Sequence, residues 1–259
     1  MSMSSETRKI SVQRLNKFFT VQDARKQVLH NINFEVDAGE FICLLGSSGC
    51  GKSTILNLIS GLDKEYSGEI RIDGVPRAQS SAHLSYLFQE PRLLPWLTVE
   101  KNIHFALQAA GVPAAEWPER TGHYLGMVNL SGSERHYIHQ LSGGMQHRVA
   151  IARAFSVNPD ILLMDEPFGA LDELTARDIR ANLLELWQRD RKTVLFVTHN
   201  TLEATYMADR ILMMSANPGK IDTVEQVRLS RPRQYESDEL FFMHKEVISQ
   251  FVAISGKPA

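Results

Sequence analysis

A chain of 259 residues with 43% apolar and 22% charged side chains has the balance of an ordinary globular protein, large enough for one domain with a smaller insertion. A formal net charge of −2 gives no bulk attraction to nucleic acid and excludes it as an expected partner. No apolar run approaches the ~20 residues needed to span a bilayer, and Met1-Ser2-Met3-Ser4-Ser5-Glu6 lacks the apolar core of a secretory signal. The expectation is a cytoplasmic protein that reaches a membrane only through a partner.

Residues 8–45 alternate apolar and polar positions in short segments, as in Val28-Leu29-His30-Asn31-Ile32-Asn33-Phe34-Glu35-Val36, which predicts strands with a turn at Asp37-Ala38-Gly39. In the run from Glu40 to Leu45, Phe41-Ile42-Cys43-Leu44-Leu45 is apolar without alternation, as in a strand covered on both faces. A Gly/Ser-rich loop follows, then helical spacing over Lys52–Ser60 with Gly61 as its stop. Cys43 and Cys50 are too few and too close for a disulfide framework; a buried strand thiol and a small loop residue are expected. Between Pro91 and Asn158, Pro, Gly, His and Trp punctuate short helical patterns, which predicts a helical insertion. His123, His136, His139 and His147 within it lack metal-ligand spacing.

Alternation resumes with a strand over 161–164, a helix over 175–189, a strand over 193–197 and a helix over 201–208. The first of these helices is expected to bury Ile179, Leu183, Leu186 and Trp187. Strands separated by helices imply a parallel α/β sheet. Leu240, Phe241, His244, Ile248, Phe251 and Val252 then recur at helical spacing, and packing onto their own domain is expected.

Gly46-Ser47-Ser48-Gly49-Cys50-Gly51-Lys52-Ser53-Thr54 fits G-x-x-x-x-G-K-[ST] between a predicted strand and a predicted helix. Glycines let backbone N–H groups turn inward around a β-phosphate, and the helix starting near Lys52 points its positive end at the same anion. Lys52 suits the β- and γ-phosphates and the Ser53 hydroxyl suits Mg²⁺. Asp165 and Glu166 end an apolar strand, placing one carboxylate for water-mediated Mg²⁺ binding and the next for orienting or deprotonating the attacking water. His199 ends the following strand, at the edge where open α/β sheets bind ligands, and could reach the γ-phosphate. The phosphate loop by itself points only to a nucleotide triphosphatase, a class that includes kinases, GTPases and motors; the carboxylates and the histidine add the parts for Mg²⁺-assisted attack of water.

Leu141-Ser142-Gly143-Gly144-Met145-Gln146 resembles the signature motif of ATP-binding-cassette (ABC) proteins. Other motifs of that family stand in order around it. Gln89, in Phe88-Gln89-Glu90, looks like the glutamine-loop residue that contacts Mg²⁺ and senses a membrane subunit. Ala170-Leu171-Asp172 looks like the D-loop, and His199 like the switch histidine. Phe19 is similar to the aromatic that stacks on adenine, with Phe18 as the alternative. The resemblance implies a P-loop NTPase (RecA-like) α/β core with an N-terminal antiparallel β-subdomain, formed by residues 1–90 and 159–259. An α-helical subdomain of residues 91–158 would carry the signature. It also implies a homodimer in which Ser142, Gly143 and Gly144 face the ATP held by the other copy.

The segment from Arg92 to Asn102 resembles nitrate/sulfonate/taurine-type uptake ATPases, as do Asn217-Pro218-Gly219-Lys220-Ile221 and Leu229-Ser230-Arg231-Pro232-Arg233. The implied partners are an integral-membrane permease and, through it, an extracytoplasmic solute-binding protein. The implied location is the cytoplasmic face of the membrane, peripheral. The rival class is a non-transport ABC ATPase of the repair, ribosome-associated or cluster-assembly type. Ile138, His147 and Asn200 depart from residues common in the family without removing a catalytic group.

Overall fold

The computed structural model describes residues 8–22 and 24–255; Met1 to Glu6, on which the expectation about a secretory signal rests, lie outside them. The chain falls into two compact units, one from the described residues up to Ala82 together with those from Thr193 onward, the other His83–Lys192.

In the first unit, β1 (Arg8–Val21) and β2 (Ala24–Asp37) form a long antiparallel hairpin. With β4 (Ser67–Ile72) and β5 (Val75–Pro76) they make a four-stranded sheet in the order β2-β1-β4-β5. Its alternation is that of a sheet with one covered face: Ile10, Val12, Ile32, Val36, Ile70 and Ile72 are all buried. β3 (Phe41–Gly46) runs parallel to β8 (Thr193–Thr198) on one side and β9 (Arg210–Ser215) on the other, and β10 (Lys220–Gln226) adds antiparallel to β9. Every residue of β3 and β8 is buried, which explains their unbroken apolar sequence. α1 (Lys52–Ser60) follows β3 and stops at Gly61, whose left-handed φ of 81° ends it as expected. α6 (Thr201–Met207) follows β8, and α7 (Asp238–Ser255) packs on α6, β9 and β10.

In the second unit, β6 (Leu84–Leu87) pairs parallel with β7 (Ile161–Asp165). Between them in sequence come α2 (Val99–Ala109), α3 (Trp117–Met127) and α4 (Gly143–Ser156), which pack on one another through Ile103, Leu107, Leu125, Val149 and Ile151. Fully buried Asn102 bonds to Leu94, Leu97 and Thr98 backbone and pins the turn that precedes α2. α5 (Glu173–Asp190) buries Ile179, Leu183 and Trp187 as the spacing predicts.

Two expectations need correction. In α5 it is Leu184 that is buried, not Leu186, alongside Arg180, which bonds to the Ala176 carbonyl and the Glu173 carboxylate. In α7 the buried stripe is Leu240, Met243, Val247 and Ile254, whereas Phe241, Ile248 and Val252 face outward with Phe242. Two apolar stripes coexist on that helix, so spacing alone does not identify the inner one. Cys50 lies in the loop as expected, and its thiol is buried. No described helix is long and apolar enough to cross a membrane.

Candidate nucleotide site

The phosphate loop leaves β3 at Gly46 and returns as α1. Ser47, Ser48, Gly49 and Ser53 are exposed, while Lys52 is 4% exposed and its ammonium donates to the carbonyls of Gly46 (2.8 Å) and Ser47 (3.0 Å). Gly51 has a φ of 99°, and a Cβ there would lie 2.5 Å from Leu29 Cδ2 of β2, so glycine is required by both backbone and space. Cys50 Sγ occupies the room beside Gly46, 2.5 Å from where a Cβ would stand. α2, α4, α5 and α6 begin with side-chain caps from Thr98, Ser142, Asp172 and Asn200. α3 and α7 carry acids in their first turns. Among the described α-helices α1 alone has neither device, so its positive end suits an external anion. The residues present therefore fit a bound phosphate chain.

Gly219, in the β9–β10 turn, completes this loop and was not anticipated as part of it. Its amide donates to the Val28 carbonyl (2.8 Å), its carbonyl accepts from His30 N–H (3.0 Å), and a Cβ there would overlap the Cys50 carbonyl. The sequence marked it only as part of the Asn217–Ile221 segment shared with the uptake ATPases, and the turn chemistry of Asn217-Pro218-Gly219 carried no sign of the phosphate loop.

His199 is exposed just beyond β8, where Thr198 pairs with Leu45 of β3. Phosphate loop and histidine thus leave adjacent parallel strands at the same edge. The histidine's neighbours are fixed. Buried Thr198 donates its hydroxyl to Glu203 (2.7 Å) and accepts from Asn200 N–H (3.0 Å). Asn200 Oδ1 accepts from the Leu202 and Glu203 amides (2.9 and 3.2 Å). Asn200 is therefore a helix cap, a role that an aspartate would fill equally. Burial pushes the Cys43 thiol well above its ordinary pKa, Glu203's charge adding to the effect and Lys52's opposing it. Phe19, 41% exposed on β1, pairs with Lys26 and has the Lys17 ammonium 4.7 Å from its ring centroid. Phe18 is less exposed and carries Arg25 over its ring.

In the second unit, Asp165 ends β7 and is 6% exposed, with the Tyr86 hydroxyl 3.5 Å from its Oδ2. Burial, then the charge of Asp165, pushes the Tyr86 pKa above its usual range, so it stays a neutral donor. Glu166 follows with a φ of 45°, a left-handed backbone uncommon for a glutamate, which turns the chain sharply after Asp165. Asp172 is exposed and caps α5 by accepting from Thr175 N–H at 2.9 Å, a bond that lowers its pKa. Gln89 is exposed on the bend after β6.

Ser142 caps α4 by accepting from Met145 N–H (3.3 Å), Gly143 is exposed, and Gly144 faces Leu171 of the Asp172 turn. A connected path joins these parts within the unit. Tyr86 stacks on Phe88 at 4.0 Å, the Arg92 guanidinium covers Phe88 at 3.9 Å, and Arg153 of α4 donates to the Pro91 and Arg92 carbonyls at 2.9 Å each. Tyr86 and Arg153 carried no motif that could have marked them in advance; Arg92 was marked only as the first residue of the Arg92–Asn102 segment.

Comparison with known proteins identifies the family. The family model described as "ABC transporter" matches residues 29–169. The aliphatic sulfonates import ATP-binding protein SsuB of a Bacillus cereus strain is 44% identical over 93% of this chain and 95% of its own length. The Bacillus subtilis protein of the same name is 40% identical over 89% and 90%. An uncharacterized ABC transporter ATP-binding protein of Methanocaldococcus jannaschii, MJ0412, is 43% identical over 93% and 90%. Among solved structures, the dimeric bacterial ABC transporter cassette MJ0796 superposes with a TM-score of 0.78 at 33% identity, covering 85% of this chain and 100% of that one. A post-hydrolysis state of MJ0796 bound to ADP and Pi has a TM-score of 0.78. The chain belongs to the ABC transporter family of ATP-binding cassettes, and its α/β fold is that of P-loop NTPases. It is the ATP-hydrolysing subunit of an importer of that family.

Proposed function

We propose that this subunit energises uptake of a small anionic solute of the nitrate, sulfonate or taurine class through a separate permease. The observation that carries this reading is identity of 40–44% over about nine-tenths of the chain to proteins named for aliphatic sulfonate import. A homodimer would close around two ATP molecules, as the dimeric relative suggests, and an extracytoplasmic binding protein would deliver the solute to the permease. The subunit would then work peripherally on the cytoplasmic face.

The residue roles follow from chemistry. Loop amides, Ser47, Ser48 and Thr54 would cradle the phosphates, and Lys52 would neutralise the β- and γ-phosphates. Mg²⁺, when bound, would draw charge from the transferred phosphoryl group, with Ser53, Asp165 and Gln89 as the residues to hold it. Glu166 would act as base towards water, and His199 would hold the γ-phosphate. Phe19 would stack on the adenine, while Asp172 and the Ser142–Gly144 turn of the opposite copy would close the site. Hydrolysis needs no covalent intermediate; positioning and electrostatics carry it.

Permease contact is assigned to an open groove of about 610 Å³ in the second unit, lined by Tyr86, Phe88, Phe105, Ala109, Arg153 and Val157. Exposed Trp96 (70%) and Phe105 (56%) stand in this unit as large apolar surface. Because Arg153 and Phe88 belong both to this groove and to the path described above, an occupant would bear on the Gln89 bend.

The test is recovery of a tagged chain from solubilised native membranes, followed by uptake of a radiolabelled sulfonate by vesicles holding the recovered complex. A multi-spanning partner and ATP-dependent uptake are expected. Recovery with ribosomes or DNA-repair proteins, and no membrane partner, would favour the non-transport class.

A further inference from the structure

We infer that His244 of α7 is a positioning residue for ATP hydrolysis, holding the switch loop through the hydroxyl of Thr201. Its Nε2 lies 2.9 Å from Thr201 Oγ1, and Thr201 is the first residue of α6, two positions after His199. The inference rests on the reading of His199 as the γ-phosphate contact.

The bonds already described around His199 run from the end of β8 through the loop into α6: Thr198 to Glu203, Asn200 N–H to Thr198, and Asn200 to the first-turn amides. They fix the loop to its own helix and, through Thr198, to β8, but none of these bonds reaches α7. α6 has only seven residues, too few to be rigid without tertiary support. The His244 bond supplies such support from a helix that is itself anchored. Leu240, Met243 and Val247 of α7 are buried, and Gln250 bonds to Glu225 of β10 at 2.7 Å. Burial lowers the His244 pKa, so a neutral imidazole faces the hydroxyl at neutral pH.

The experiment uses the purified full chain and compares His244→Leu, His244→Gln, Thr201→Val, the Leu/Val double variant and His199→Ala. Steady-state hydrolysis and thermal midpoint are measured for each. His244→Leu is expected to lower kcat about tenfold, the scale of a small misplacement of a reacting group, with the KM for ATP changed less than about twofold. Thr201→Val should match it, the double variant should be no worse than either single one, and His244→Gln should recover most of the rate through its amide. If His244→Leu fails to fold, Thr201→Val decides the matter alone.

A kcat within about twofold of the parent in a folded Thr201→Val chain, or losses that multiply in the double variant, would overturn the inference. Full turnover by His199→Ala would instead remove the switch reading itself. His199→Ala inactive beside Thr201→Val fully active rejects the His244 role and leaves that reading standing.

Discussion

Glu166 shows how much a single backbone angle matters. Its φ of 45° turns it sharply away from the line of β7, separating the role of Asp165 from that of its neighbour. Glu166→Gln keeps the shape and removes the proposed base, so kcat should fall on the order of 10²–10⁴-fold while ATP stays bound. Gel filtration with ATP should then report a dimer; unchanged turnover would take Glu166 out of the mechanism. Cys50 makes a different prediction. At 1% exposure with its sulfur beside Gly46, it should be labelled by maleimide only as the loop opens, on the order of tenfold or more slower than after unfolding. A Cys43→Ala background isolates the rate, which ATP should slow further. The phosphate loop and Asp165–Glu166 were legible in sequence because phosphate chemistry demands contiguous residues at fixed spacing. Tyr86 and Arg153 were not, because each acts through a partner brought near only by folding.

At the scale of elements, the β9–β10 turn bears directly on the phosphate loop. Gly219→Ala would drive a methyl into the Cys50 and Val28 carbonyls, costing about 1–3 kcal/mol by overpacking and weakening nucleotide binding. Thermal melting with and without ATP measures both effects. Another tie joins β1 to the turn after α1, where buried Lys17 donates to Asp63 at 2.9 Å and to the Glu65 carbonyl at 2.6 Å.

Burial pushes the Asp63 pKa up, but Lys17 and the Glu65 amide pull it down further, and the net shift is downward. A carboxyl lowered in the folded state stabilises above its unfolded pKa of about 3.9 and loses that contribution as pH falls through the folded value. Asp63→Asn should therefore cost about 1 kcal/mol at neutral pH, water contact at the carboxylate limiting the figure. The deficit should vanish in acid, as melting curves across pH 2–7 would show.

β3, β8 and α1 announced themselves through unbroken apolar runs and a glycine stop. β10 did not, since its alternating burial belongs to a short polar strand. The face of α7 was ambiguous because Leu240–Met243–Val247 and Phe241–Ile248–Val252 satisfy helical spacing equally well.

For the whole molecule, the decisive property is that hydrolysis must be passed to something else. The groove between Tyr86, Phe105 and Arg153 is where the permease is assigned, so Phe105→Glu should reduce recovery of the membrane subunit by about tenfold or more. That is the scale of placing one unpaired charge in an apolar contact. An unaltered melting curve for the isolated chain would show that the variant folds, and undiminished recovery would move the permease elsewhere. The family was legible in sequence through ordered motifs and the importer class through the Arg92–Asn102, Asn217–Ile221 and Leu229–Arg233 segments, whereas the groove arises only from packing of α2 and α4 beside β6.

The seat of Gly219 against Cys50 also sets a timetable. The loop that opens after β3 touches a residue in the last quarter of the chain, and β3 itself pairs with β8 and β9, both far downstream. Pairings at such separation form late and slowly. On the ribosome, the N-terminal hairpin can assemble early, but the phosphate loop must wait until the β9–β10 turn has cleared the exit tunnel. A nascent chain stalled before Gly219 would therefore be translated through every nucleotide motif and still lack a finished place for ATP.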